Sequence, residues 1–158
     1  MRYDFGGGCR EYAYDEEITI VDITPMENCE NVSSEGCDFG PPKKCKSDKY
    51  IVADIFSKDL ILPEKADFIN ASQVLRYFAG QYDGYLDSNS IDNDKLKIAA
   101  QNIINNLKPF GIIRLCDHMP VLEDIIQELL NKDFEMISCI MMNPRDLDYG
   151  AEWEIILR

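Results

Sequence analysis

Four short runs of almost unbroken apolar residues, Ile18 to Ile23, Tyr50 to Asp54, Ala66 to Ala71 and Gly111 to Cys116, constrain the fold more than any other feature of this chain. Runs this short and continuous suit parallel strands covered on both faces, because a strand with one wet face alternates polar and apolar residues. A fifth run, Met1-Arg2-Tyr3-Asp4-Phe5, does alternate and suits a strand with one barer face. Two further strands, Phe134 to Met142 and Glu152 to Arg158, flank the turn-rich stretch Asn143 to Gly150 and suit an antiparallel pair. The expected sheet is mixed and seven-stranded.

Helical periodicity is confined to the second half of the chain, over Ser72 to Tyr82, Asn93 to Leu107 and Pro120 to Asn131. In the middle one, Leu96, Ile98, Ala99, Ile103, Ile104 and Leu107 form the expected buried stripe, Asp92-Asn93-Asp94 offer capping oxygens, and Pro109 and Gly111 end it. The last opens with Pro120 in its first turn, with Glu123 and Asp124 near the positive end of its dipole. Only Cys9 to Glu17 joins the first two strands, and Pro25 to Asp48 joins the second and third. A parallel crossover usually takes about a dozen residues or more and a helix, so the first link is terse and the second reads as a loop. One α/β domain over 1–158 is expected, poor in helices in its N-terminal half, with a long cysteine-containing loop at 25–48. The sheet face left without helices needs other cover, from that loop, a second copy of the chain or a partner subunit.

The chain's 158 residues, 46% hydrophobic and 28% charged, suffice for one buried core. A formal net charge of -13, from 29 acidic and 16 basic residues, disfavours a nucleic-acid partner, since phosphate backbones are bound by clustered cations and the only such group is Lys43-Lys44-Cys45-Lys46. No basic-apolar leader and no long apolar run is present, so a cytoplasmic location without membrane contact is expected. The six cysteines show no compact disulfide framework and read as reduced thiols. Cys29, Cys37 and Cys45 recur every eight residues, unlike the closely paired ligands of structural zinc sites, and no metal is expected.

Glycines follow the first strand at Gly6-Gly7-Gly8, and a carboxylate, Asp22, closes the second. Residues without Cβ let backbone N–H groups approach a ligand closely, and a strand-end carboxylate can accept bonds from two ribose hydroxyls. Each feature alone is also an ordinary turn signal. Taken in order, Asp4-Phe5-Gly6-Gly7-Gly8, Val21-Asp22-Ile23, Ala53-Asp54-Ile55-Phe56, Asp67 to Leu75 and Leu107-Lys108-Pro109-Phe110-Gly111 resemble the motifs of the class I, Rossmann-like S-adenosylmethionine-dependent methyltransferases. The likeness is to a small variant in which a loop replaces the first helix. Arg10 stands where many members carry a third glycine, and Phe110 replaces another.

The resemblance implies S-adenosylmethionine as cofactor. Asp4 and the backbone of Gly6, Gly7 and Gly8 would serve its methionine part, Asp22 the ribose, and Asp54, flanked by Ile23 and Ile55, the adenine. Asn70 and Ala71 would line the sulfonium. The sole histidine, His118, follows the fifth strand on the ligand-bearing edge of such sheets and is the candidate base, with an exposed loop histidine as the other reading. An Asn/Asp-Pro-Pro-Tyr motif is absent, which disfavours methylation of nucleobase or amide nitrogen and leaves a small-molecule or protein acceptor. The rival function on the same fold is a catalytically inactive binding or regulatory subunit. Cofactor binding with turnover separates the two.

Overall fold

A computed structural model describes residues 1–6, 17–23, 49–72, 74–75, 92–142 and 152–158. Among them are strands β1 (Arg2–Phe5), β2 (Ile18–Asp22), β3 (Tyr50–Val52) and β4 (Ala66–Ser72), helix α1 (Asn93–Asn106), strand β5 (Leu107–His118), helix α2 (Met119–Leu130), and strands β6 (Met136–Met141) and β7 (Glu152–Leu157). They form one seven-stranded sheet in the order β3-β2-β1-β4-β5-β7-β6. The first five neighbours run parallel, and β7 lies antiparallel between β5 and β6. The expected mixed sheet, with its antiparallel closing pair, is therefore present.

Register divides the sheet into two unlike faces. Tyr3, Ile69, Ile113 and Leu157 lie in one row, and Phe5, Ala71, Leu115 and Ile155 in the next on the same face. All eight belong to one buried cluster with Leu96, Ala99 and Ile103 of α1 and Leu122, Ile125 and Leu129 of α2. Both helices thus cover this face. The opposite face carries Arg2, Asp4, Phe68, Asn70, Ile112 and Arg114, none of which joins that cluster. Among the described residues no helix packs on that face; Ile112 is 38% exposed there, whereas Asp4 and Asn70 are buried.

Several expectations need correction. β1 has no bare face: Tyr3, Asp4 and Phe5 are all buried, because β1 sits in the sheet interior between β2 and β4. The alternating pattern misleads because Asp4 is a buried polar residue with a cross-strand partner. In α1, Ile98 and Ile104 are half-buried, and Asn102 and Asn106 occupy the buried stripe beside Leu96, Ala99, Ala100 and Ile103. The helix starts as expected, with the Asp92 side chain accepting from the Lys95 amide at 3.2 Å. It ends at Asn106, and β5 begins at once at Leu107 rather than at Gly111. Because α2 begins at Met119, Glu123 and Asp124 are its fifth and sixth residues, outside the first turn where the dipole acts most strongly. β4 extends through Ser72, where a helix start is expected, and most of the Ser72 to Tyr82 segment lies outside the described residues. So do the first crossover and the 25–48 loop with its three cysteines.

The non-site end of the sheet is tied by charge. Asp67 accepts from the Met1 ammonium and from Lys108 at 2.9 Å, contacts that hold its carboxyl below the usual carboxylate range. Burial pushes the Tyr3 phenol above its ordinary range, and its hydroxyl donates to the Glu64 carbonyl at 3.1 Å. No described helix is long and apolar enough to cross a membrane.

Candidate functional site

The C-terminal ends of β1, β2 and β3 are bound side by side. The Gly6 amide donates to the Val21 carbonyl at 2.7 Å, and the Ala53 amide to the Asp22 carbonyl at 2.9 Å. From β1 the sheet grows toward β2 and β3 on one side and toward β4 on the other. That reversal is the topological switch point, where the loops leaving two neighbouring strands part in opposite directions and open a crevice. Gly6, Asp22 and Asp54 all lie at this edge.

Gly6 has φ +69°, in the left-handed region that costs a side chain about 1–2 kcal/mol. A Cβ there would also fall 2.0 Å from Cγ2 of Val74, which packs over the turn. The position admits glycine on two independent grounds. Gly7 and Gly8 lie outside the described residues. Asp22 is half-buried at the end of β2, and the neighbouring Ile23 is 49% exposed, an apolar surface beside a carboxylate.

Asp54 lies two residues beyond β3 and is set by its own turn. Its Oδ1 accepts from the Phe56 amide at 2.8 Å, and its carbonyl from the Ser57 amide at 3.0 Å. Ile55 and Phe56 are buried and anchor the turn in the core. The Ile55 side chain is thus committed to the interior.

Asp4, Asn70 and Arg114 occupy one row across β1, β4 and β5 on the face opposite α1 and α2. Asn70 Nδ2 donates to Asp4 Oδ1 at 2.6 Å, Arg114 Nη1 donates to Asn70 Oδ1 at 2.8 Å, and Arg114 Nε donates to Glu154 Oε2 of β7 at 2.6 Å. This chain of charge-assisted bonds explains how Asp4 and Asn70 are fully buried without an exposed edge. Asn70 is held in the sheet by both ends of its amide, and Ala71 is buried beside it on the opposite face. Neither offers accessible side-chain surface at the site.

His118 closes β5 opposite Glu152 of β7 in the ladder, on the same sheet edge, and its side chain lies outside the described residues. Cys116 is buried and Cys139 exposed, and neither forms a disulfide. Four polar residues escaped sequence reasoning. Asn102 and Asn106 stand four apart among apolar helix positions, and Arg114 and Glu154 are charges inside apolar strands; each pattern marks a polar group that needs a buried partner.

The sheet order, the antiparallel β7 and the switch-point crevice define the Rossmann-like fold of the class I S-adenosylmethionine-dependent methyltransferases, which the chain resembles throughout. Among solved structures it is similar to the N-methyltransferase NodS of Bradyrhizobium japonicum, with a TM-score of 0.61 and 15% identity over 99% of this chain and 84% of that one. It is also similar to an S-adenosylmethionine-dependent methyltransferase from Clostridium acetobutylicum (TM-score 0.63, 14% identity, 99% and 82% covered) and to one from Methanosarcina mazei (0.63, 12%, 99% and 90%). No protein-family model matches the sequence, and no curated protein matches it.

Proposed function

We propose that this protein binds S-adenosylmethionine at the ends of β1, β2 and β3 and transfers its methyl group to a small-molecule or protein acceptor. The observation that carries the reading is the meeting of a side-chain-intolerant glycine turn with two strand-end carboxylates at the switch point. The donors and acceptors suit the ligand. Asp22 can accept from the two ribose hydroxyls, and Asp54, whose Oδ1 is oriented by the Phe56 amide, can accept from the adenine amine. Exposed Ile23 offers the base an apolar wall. Related structures support the cofactor: NodS has been solved with S-adenosyl-L-homocysteine, and the glycopeptide N-methyltransferase MtfA with S-adenosylmethionine.

The cofactor supplies an activated methyl group on a cationic sulfonium. The chain's part is to hold that group in line with the acceptor's nucleophile, a positioning task in which a base matters only if the nucleophile carries a proton. His118 is the residue we assign to such proton removal, on the strength of its place at the end of β5.

Calorimetric titration of S-adenosylhomocysteine into the wild type and into Asp22→Ala, under reducing conditions, tests the reading. Loss of charge-assisted bonds to the ribose should weaken binding at least about tenfold in the variant. A wild type that fails to bind overturns the proposal in favour of an inactive subunit on the same fold. A variant that binds equally well removes Asp22 from the site.

A further inference from the structure

The turn that carries Asp54 is held from beneath by two buried asparagines of α1. Asn102 Nδ2 donates to the Ile55 carbonyl at 2.6 Å and to the Ser57 carbonyl at 2.9 Å, using both its hydrogens. These carbonyls flank Phe56, whose amide in turn holds Asp54 Oδ1 at 2.8 Å. One helix turn further on, Asn106 Nδ2 donates to the Leu60 carbonyl at 2.8 Å, and its Oδ1 accepts from the Leu62 amide at 2.8 Å. The two residues are only 2% and 4% exposed, on a helix face otherwise given to the core.

Asparagine is a poor choice for a buried helix position. It has low helical propensity, and burying an amide gains little unless every donor is used. Leucine has a similar size and would fill the same space. What leucine cannot do is bind the Ile55 and Ser57 carbonyls, so that the Ile55–Phe56 peptide, its carbonyl held on one side by Asn102, presents its N–H on the other to one fixed oxygen of Asp54.

We propose that Asn102 is a positioning residue for adenine recognition: through the Ile55 and Ser57 carbonyls and the Phe56 amide it fixes the Asp54 carboxylate that reads the base's amino group. This rests on the S-adenosylmethionine reading above. Asn106 secures the far part of the same segment, away from Asp54, and serves as the control.

The test compares two nucleosides that differ along one edge of the base, at position 6 and in the hydrogen on N1. S-adenosylhomocysteine carries a 6-amino donor, and S-inosylhomocysteine a 6-oxo acceptor that a carboxylate repels. Both are titrated by calorimetry into the wild type, Asn102→Leu and Asn106→Leu, well below each protein's melting transition. The wild type should prefer the amino compound, and Asn102→Leu should lose about tenfold of that preference, the worth of one misaligned charge-assisted hydrogen bond. Asn106→Leu should melt earlier yet keep the preference. A merely structural role for Asn102 would weaken both ligands alike, so an unchanged ratio in Asn102→Leu overturns the proposal. If that variant lacks a cooperative melt, Asn102→Ser, which keeps one donor, is read by the same ratio. A wild type that binds both compounds equally also overturns it, whereas a wild type that binds neither refutes the nucleoside site itself.

Discussion

At Gly6 two independent demands for glycine meet in one residue. Its left-handed backbone and the 2.0 Å approach of Val74 to any Cβ act together. Gly6→Ala should therefore cost about 2–5 kcal/mol, combining the left-handed penalty with local overpacking, as read from urea unfolding midpoints. A loss below about 0.5 kcal/mol, within the range of ordinary surface substitutions, would mean that Val74 yields freely. Phe110 shows the converse. It takes the place of a glycine in the motif that Leu107 to Gly111 resembles, adopts φ +64°, and remains 90% exposed, so the departure from the motif has a backbone cost with no burial to offset it. The sequence singled out both positions; only the dihedral angles separate a glycine that is needed from a phenylalanine that is tolerated.

Among the elements, the four-strand polar chain Asp4–Asn70–Arg114–Glu154 is the feature that fixes relative register on the face opposite α1 and α2. A one-residue slip of β4 against β1 or β5 would carry Asn70 to the opposite face and break two of its bonds. Arg114→Met keeps the bulk of the side chain but leaves Glu154 and Asn70 oxygens without their donor, and should destabilise by about 3 kcal/mol. Equilibrium urea unfolding measures it, and a variant as stable as the wild type would show that hydrophobic replacement compensates fully. Helix α1 was legible as an amphipathic segment opened by the capping group Asp92-Asn93-Asp94, because that depends on local spacing. Its asparagines were not legible as a clamp, because their partners Ile55, Ser57, Leu60 and Leu62 lie more than 40 residues away.

Over the whole molecule, a net charge of -13 on 158 residues opposes compaction by self-repulsion. Raising salt from about 0.02 M to about 0.3 M shortens the screening length severalfold and should raise the melting temperature by a few degrees. A fall would show that ion pairs such as Asp67–Lys108 and Arg114–Glu154 outweigh the general repulsion. At this scale the sequence by itself determined the α/β class, the seven-stranded mixed sheet, its closing antiparallel pair and the two helices described over Asn93–Asn106 and Met119–Leu130. All of these follow from local periodicity, apolar continuity and connection length. Tertiary structure alone decided that β1 is buried on both faces, that Asp4 and Asn70 belong to a cross-sheet polar chain, that Ile55 is a core anchor, and that α1 aims the Asp54 turn. Those outcomes depend on which distant groups meet, and the burial of a polar side chain is acceptable only where a partner, set by the whole fold, stands within hydrogen-bonding distance.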